Sequence, residues 1–374
     1  MKILFVLDHY FPYVGGAETL FKNACERLVK EGYKVKVVTT QIKATKKEEI
    51  INGVEVQRVW TPPFSRRYWF TLLAIPKVIK LAKKFDIIHT ATYNSALSAR
   101  IAGKIIHKPN IITILEVLGD DWGKVPGIGK ISAAAHKFFE RIVLSLNFDR
   151  FVCISESTRN NVIKFGIPYD KTVVNYPGID YALFDVKNID HNLRAKLGLK
   201  NNFVYLFFGR PGITKGADYL VKAVSKISHK IPKAKLVMIL AHEPKKRYEE
   251  ILDLINTLGL KNKIMLMDPV ERKLLPSYLG ISDCIVVPSL TEGFGYSAAE
   301  ACALGLKIIA TNIGSLPEVV SGNYILIKAK SPREILKGVY RIYLGKYKTT
   351  KIKRFTQDES TKQAKEIYQS LLKK

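Results

Sequence analysis

Pro288-Ser-Leu-Thr-Glu292-Gly293-Phe294-Gly295-Tyr-Ser-Ala-Ala-Glu300-Ala-Cys-Ala-Leu-Gly305 follows the apolar run Cys284 to Val287. The run reads as a strand, Glu292 and the Gly293-Phe294-Gly295 turn as a loop, and the small residues after it as a helix with Glu300 two turns in. Glycines at such a junction let the backbone come close to a ligand. Free N–H groups at the helix start, with the helix dipole behind them, favour a phosphate. The carboxylates of Glu292 and Glu300 suit another partner, since they accept hydrogen bonds from hydroxyls. Phosphate donors beside hydroxyl acceptors describe a site for a nucleotide sugar.

Outward from this stretch the alternation continues. In the first half Ile3–Leu7, Lys34–Thr39, Val54–Trp60, Asp86–His89, Asn110–Leu115 and Arg150–Ser155 are short apolar runs bounded by Gly, Pro or polar turns, and read as strands. Tyr205–Phe208, Lys235–Leu240, Ile264–Met267 and Lys307–Ala310 read likewise in the second. Apolar residues at helical spacing lie between them, at Ala17–Lys30, Ala133–Ser145, Asp218–Ser228 and Arg247–Leu258. Alternating strands and helices imply parallel sheets covered on both faces. A chain of 374 residues suffices for two such domains. The Pro/Gly break at Asn175-Tyr-Pro177-Gly178-Ile-Asp180 sets the expected boundary, with 1–177 in one domain and 178–359 in the other. Ser360 to Leu372 has the pattern of an amphipathic helix, with Ala364, Ile367, Tyr368 and Leu371 on one side.

Composition narrows the function. Hydrophobic residues make up 47% of the chain, an ordinary value for a globular protein. No stretch approaches the ~20 uninterrupted apolar residues of a membrane span. Ile3 to Leu7 is too short for a secretory signal core, so a cytoplasmic location is expected. The four cysteines are scattered, without Cys/His metal spacing. Asp120-Asp121 lacks the spaced Asp-x-Asp of metal-dependent transferases, so no metal is expected. A formal charge of +27 calls for an anionic partner or surface. Nucleic acid is not the expected one, because no helix-turn-helix, zinc-finger, RNA-recognition or KH signature is present. Thr61 to Lys84 holds six basic residues, Arg66 and Arg67 among them, and no acidic one. A helix of such composition lies on an anionic bilayer, apolar side down and lysines at the headgroups, or packs Trp69, Leu72, Leu73 and Ile79 against the first sheet with solvated lysines outside.

Two glutamates flanking Gly293-Phe294-Gly295, ahead of a small-residue helix, resemble the donor site of glycosyltransferase family 4, whose members are retaining enzymes of the GT-B fold. Ile308-Ile-Ala-Thr-Asn-Ile-Gly-Ser-Leu-Pro-Glu318 is similar to the strand and loop that follow that motif. Phe207-Phe-Gly209-Arg210-Pro-Gly-Ile-Thr-Lys215-Gly216 resembles the segment whose arginine and lysine grip the diphosphate. Pro12-Tyr-Val-Gly15-Gly16-Ala-Glu18 matches the N-terminal glycine loop. The resemblance therefore spans nearly the whole chain. It implies an α/β fold of two Rossmann-like domains facing across a cleft. The final helix, within 360–374, would cross back onto the N-terminal, acceptor-side domain. It also implies a UDP- or GDP-linked sugar as co-substrate, with no cofactor. Arg210, Lys215 and Glu292 are the implied catalytic residues. Gly15, Gly16, Gly209, Arg210, Lys215, Glu292, Gly293, Phe294, Gly295 and Glu300 are the implied donor-binding residues. Backbone N–H groups near Phe294 and Gly295 would touch the diphosphate, Glu300 the ribose, and Glu292 the sugar hydroxyls. The guanidinium fork of Arg210 and the mobile charge of Lys215 would stabilise the leaving diphosphate in place of a metal.

One departure stands out. Family members place a histidine after the strand that here is Asn110–Leu115, whereas this chain reads Thr113-Ile-Leu115-Glu116-Val-Leu-Gly119. His89 and Glu116 are the candidates for an acceptor-side polar contact in its place. Many members of the family glycosylate lipids or lipid-linked carriers, and related phosphatidylinositol mannosyltransferases carry a basic amphipathic segment at a comparable place. The expected acceptor is therefore a lipid-linked or other membrane-borne glycan, reached at the inner face of the membrane. Two other readings compete: a sugar-nucleotide 2-epimerase on the same scaffold, and an idle scaffold that binds anions or nucleic acid. The intact Glu292-to-Glu300 motif argues against both.

Overall fold

The computed structural model describes residues 1–13, 15–125 and 127–372. Within these the chain forms two compact α/β units, one of Met1–Gly123, Gly129–Gly178 and the chain from Gln357 onward, the other of Lys124–Ile128 and Ile179–Thr356.

The sheet of the first unit contains β1 (Lys2–Val6), β2 (Lys34–Thr40), β3 (Glu48–Ile51), β4 (Val54–Val59), β5 (Ile87–Ala91), β6 (Asn110–Ile114), β7 (Arg150–Cys153) and β8 (Thr172–Val174). Their order is β3-β4-β2-β1-β5-β6-β7-β8, parallel throughout except for the β3–β4 hairpin. Alternation along β1 sends Ile3 and Phe5 to one face and Leu4 and Val6 to the other. On the first face they meet Phe21, Cys25 and Leu28 of α1 (Gly16–Lys30) and Ile367, Tyr368 and Leu371 of the C-terminal helix, Gln357–Leu372. On the second lie α2 (Arg66–Leu73), α3 (Ile75–Ala82), α4 (Ser95–Ile106), α5 (Lys130–Ser145) and α6 (Glu156–Lys164). Burial on both faces is why these strands read as nearly continuous apolar runs.

The sheet of the second unit contains β9 (Phe203–Gly209), β10 (Ala234–Leu240), β11 (Ile264–Met267), β12 (Cys284–Val287), β13 (Ile308–Thr311), β14 (Asn323–Ile327) and β15 (Lys348–Thr349), in the order β11-β10-β9-β12-β13-β14-β15. Its helices are α7 (Leu193–Lys196), α8 (Ala217–Lys230), α9 (Lys245–Thr257), α10 (Leu275–Gly280), α11 (Tyr296–Ala303), α12 (Leu316–Val319) and α13 (Pro332–Tyr343). From β9 the chain runs outward through β10 and β11, then returns to place β12 on the other side of β9. The sheet's order reverses there, and in open α/β sheets ligands bind beyond the strands' carboxyl ends at such a reversal.

Three local expectations are corrected. The C-terminal helix starts at Gln357 instead of Ser360. The basic segment forms two helices, because Pro76 sits in the first turn of α3 and the chain breaks at Ala74. That break turns Phe70, Ala74 and Val78 inward and leaves Trp69, Leu72 and Leu73 exposed, so the latter three do not pack on the sheet. No helix among the described residues is long and apolar enough to cross a membrane.

Candidate active site

At the reversal between β9 and β12, two loops press backbone against backbone. Gly216, in the left-handed region at φ +68°, lies so close to Pro288 that an added Cβ would stand 2.0 Å from the proline carbonyl oxygen. Leu290 N donates to the Thr214 carbonyl at 2.6 Å. This contact brings Lys215 to Glu292, with Nζ 3.0 and 2.8 Å from Oε1 and Oε2. Ser289 Oγ donates to Glu292 Oε2 at 3.1 Å. The backbone of Glu292 is fixed by a third loop, the one leaving β13: Ser315 N and Oγ donate to its carbonyl at 3.1 and 3.2 Å. Gly314 passes close enough that a Cβ there would meet the same carbonyl oxygen at 2.4 Å. The Lys215–Glu292 pair thus sits on a rigid junction of three loops.

Gly209 ends β9 and Arg210 follows it, exposed and with no ion pair among the described residues. Phe294 is buried against Tyr296 and Phe355, each ring 5.3 Å away. Glu300 is buried on α11, and its Oε1 accepts from an Arg272 guanidinium nitrogen at 2.6 Å. Burial raises the Glu300 carboxyl above its ordinary range, and the charge of Arg272 opposes that rise. Arg272 also lies over the Phe184 ring, 5.1 Å from its centroid. The Tyr296 hydroxyl is buried with no hydrogen-bond partner among the described residues. A buried donor left unpaired is costly, and a polar ligand group would satisfy it. Neither Arg272 nor Tyr296 was among the residues expected from sequence.

The structure therefore gathers Gly209, Arg210, Lys215, Glu292, Gly293, Phe294, Gly295 and Glu300 on loops and a helix at the carboxyl ends of β9 and β12. Gly15 and Gly16 belong to the other unit, where they open α1 at the carboxyl end of β1.

His89 is a correction. Its ring is buried, with Nδ1 2.8 Å from the Tyr368 hydroxyl and Nε2 2.8 Å from Thr113 Oγ1. It stacks on Phe5 at 4.9 Å between centroids. With both nitrogens engaged it has nothing to offer an acceptor, and it fastens the C-terminal helix to the sheet. Leu115 is partly buried against the same core. Glu116 is half-buried, and its carbonyl accepts from the Tyr93 hydroxyl. The loop that follows is held by the buried carboxylate of Glu140, which accepts from Leu118 N at 3.1 Å, Gly119 N at 2.7 Å and the Tyr93 hydroxyl at 2.5 Å. Among the described residues no group of three His, Cys, Asp or Glu side chains is arranged to hold a metal, and the four cysteines are buried and unpaired.

Two α/β units, each built on a largely parallel sheet, are the architecture of a GT-B glycosyltransferase. Solved structures share it. The Anabaena protein HepE in complex with UDP superposes with a TM-score of 0.79 at 21% identity, covering 99% of this chain and 100% of that one. Sucrose-phosphate synthase from Thermosynechococcus elongatus gives 0.78 at 20% identity, covering 99% and 94%. The family model Glycosyltransferase Family 4 matches residues 14–183, and Glycosyl transferases group 1 matches 190–359. Together the two models and these structures show a glycosyltransferase like those of family 4. The chain is 29% identical to an uncharacterized glycosyltransferase of Methanocaldococcus jannaschii over 358 residues, 91% of this chain and 89% of that one. It is 25% identical to a D-inositol 3-phosphate glycosyltransferase of Thermomonospora curvata, over 82% of this chain and 77% of that one. Identity to a phosphatidylinositol N-acetylglucosaminyltransferase component from Arabidopsis thaliana is 22%, over 91% and 73%.

Proposed function

We propose that the protein is a retaining glycosyltransferase that moves a sugar from a nucleoside-diphosphate donor to a hydroxyl of a membrane-borne acceptor. The observation that carries this reading is the set of groups at the β9–β12 reversal: Lys215 paired with Glu292, Arg210 exposed without an ion-pair partner among the described residues, and Glu300 buried on α11. Lys215 neutralises Glu292. A bound donor brings its diphosphate to Lys215 and Arg210 and its sugar hydroxyls to Glu292, so Lys215 exchanges a carboxylate for phosphate, Glu292 exchanges an ammonium for hydroxyls, and Arg210 gains an anionic partner. Glu300, with one oxygen on Arg272, has its second carboxylate oxygen for the ribose hydroxyls. As the glycosidic bond breaks, negative charge grows on the diphosphate, where two fixed cations stabilise it. Retention follows if the acceptor attacks from the leaving-group face and a donor phosphate oxygen takes its proton. The UDP bound by HepE supports the donor class, and the phosphatidylinositol in one relative's name supports a membrane-borne acceptor, whereas the D-inositol 3-phosphate in another's is a soluble one.

Catalysis here is proposed to need no metal. Labelled sugar from the donor should enter a lipid-extractable product at an undiminished rate in excess EDTA. An absolute requirement for added Mg²⁺ or Mn²⁺ contradicts the site as assigned. The membrane element is the α2–α3 segment, where Tyr68, Trp69, Leu72 and Leu73 are exposed beside Arg66, Arg67 and Lys80. The protein should sediment with anionic vesicles in preference to neutral ones, and high salt should weaken the attraction, at about 1 kcal/mol per surface cation. Changing Arg66, Arg67, Lys80 and Lys84 to glutamine should lower vesicle binding and transfer to lipid while leaving donor hydrolysis intact. Unchanged sedimentation of that variant would return the basic face to the status of solvated surface, and a soluble saccharide acceptor would then fit better.

A further inference from the structure

Helix α5 is apolar on two sides. Its inward side buries Ala133, Glu140, Val143 and Leu144. On another side Ile131 is 89% exposed, Phe138 67% and Ile142 41%, and at 3.6 residues per turn the three fall on one stripe. Lys130, Lys137 and Arg141 occupy the row between the stripe and the buried side. Single exposed apolar residues are ordinary, but three in helical register beside a row of cations form a patch.

The basic row is also one wall of a pocket. Lys137 and Arg141 of α5, the loop from Val117 to Asp121 after β6, and Asn161 and Lys164 of α6 enclose about 350 Å³, within the range of small-molecule sites. The loop wall is rigid because Glu140 holds the N–H groups of Leu118 and Gly119. Two carboxylates share the lining: Asp120, which pairs with Lys137, and Asp121. Arg141 and Lys164 make no ion pair among the described residues. A guanidinium fork and an ammonium in a fixed concavity suit a phosphate. An apolar stripe beginning one residue away suits a hydrocarbon chain attached to it. Helix α2, with its exposed Tyr68 and Leu72, belongs to the same helical layer over the same sheet face as α5.

We propose that this pocket receives the phosphate of a membrane phospholipid while Ile131, Phe138 and Ile142 enter the acyl layer beside it. The inference rests on the reading of a membrane-borne acceptor and gives that reading a second contact, distinct from α2–α3. To test it, the full chain carrying Phe138→Cys is labelled with a polarity-sensitive fluorophore, which the four buried native cysteines leave to position 138. Mixing with phosphatidylglycerol vesicles should blue-shift its emission, and phosphatidylcholine vesicles should not. Arg141→Gln with Lys164→Gln should weaken that response on the order of tenfold or more, at about fivefold per cation. Ile131→Ser with Ile142→Ser, both at exposed positions, should weaken vesicle sedimentation of the unlabelled chain comparably. Millimolar glycerol phosphate should not displace the vesicles. If wild type sediments with phosphatidylglycerol vesicles but the label does not shift, the α5 site is overturned and the membrane reading stands. If wild type does not sediment, both fall. Displacement by glycerol phosphate alone would assign the pocket to a soluble phosphate and overturn the lipid.

Discussion

Arg210→Ala and Lys215→Ala should each lower donor turnover on the order of 10²-fold or more, the scale of removing one preorganised stabiliser of transition-state charge. The two variants differ in what else they disturb. Arg210 is exposed and makes no ion pair among the described residues, so its loss should leave thermal stability within the small range of surface substitutions. Lys215 neutralises a mostly buried carboxylate, so its loss leaves Glu292 with Ser289 as its remaining side-chain hydrogen-bond partner. Lys215→Ala should therefore lose stability as well as rate. In both, kcat should fall along with donor affinity, because the demand for positive charge peaks as the diphosphate departs. Full turnover by both variants would mean that the reaction takes place elsewhere on the protein.

Acid should unfold the first unit through His89. Its ring is buried, and desolvation holds its pKa down at about 3 against an ordinary value of 6.5. The neutral ring is the form the fold accepts, whereas the unfolded chain binds a proton there below 6.5. The stability it contributes is fully present above pH 6.5, falls as pH drops below that value, and is gone once the folded ring protonates near pH 3. Each pH unit within that window withdraws about 1.4 kcal/mol through this one group. Urea unfolding at a series of pH values should show that slope, and His89→Gln should flatten it even if the variant is less stable at pH 7. An unchanged slope in the variant would place the titrating group elsewhere.

The central strands were legible because burial on both faces writes them as apolar runs. Two edge strands were not: β3 reads Glu-Glu-Ile-Ile, and β15 is two residues long. In the second unit the sequence located Glu292 and Glu300 because strand, glycine loop and helix are contiguous. Arg272 carries no such signal. It reaches Glu300 from 28 residues away, through a loop whose course only the fold determines. His89 was misread for a related reason. A histidine in an apolar strand looks like a functional group until its partners are known, and these come from 24 and 279 residues away. The phase of α2 was lost at Ala74, because a single continuous helix through Pro76 assigns different residues to the inward side than two helices do.

Titration calorimetry with UDP, GDP and ADP tests most directly whether the β9–β12 reversal holds a nucleoside diphosphate between Lys215, Arg210 and Glu300, and it needs no knowledge of the acceptor. One of the three should bind saturably to the wild-type chain, with affinity reduced on the order of tenfold or more in Arg210→Ala and in Glu300→Ala, as expected when a charge-assisted contact is lost. Saturable binding that both variants retain in full, or no binding of any of the three, would contradict that assignment.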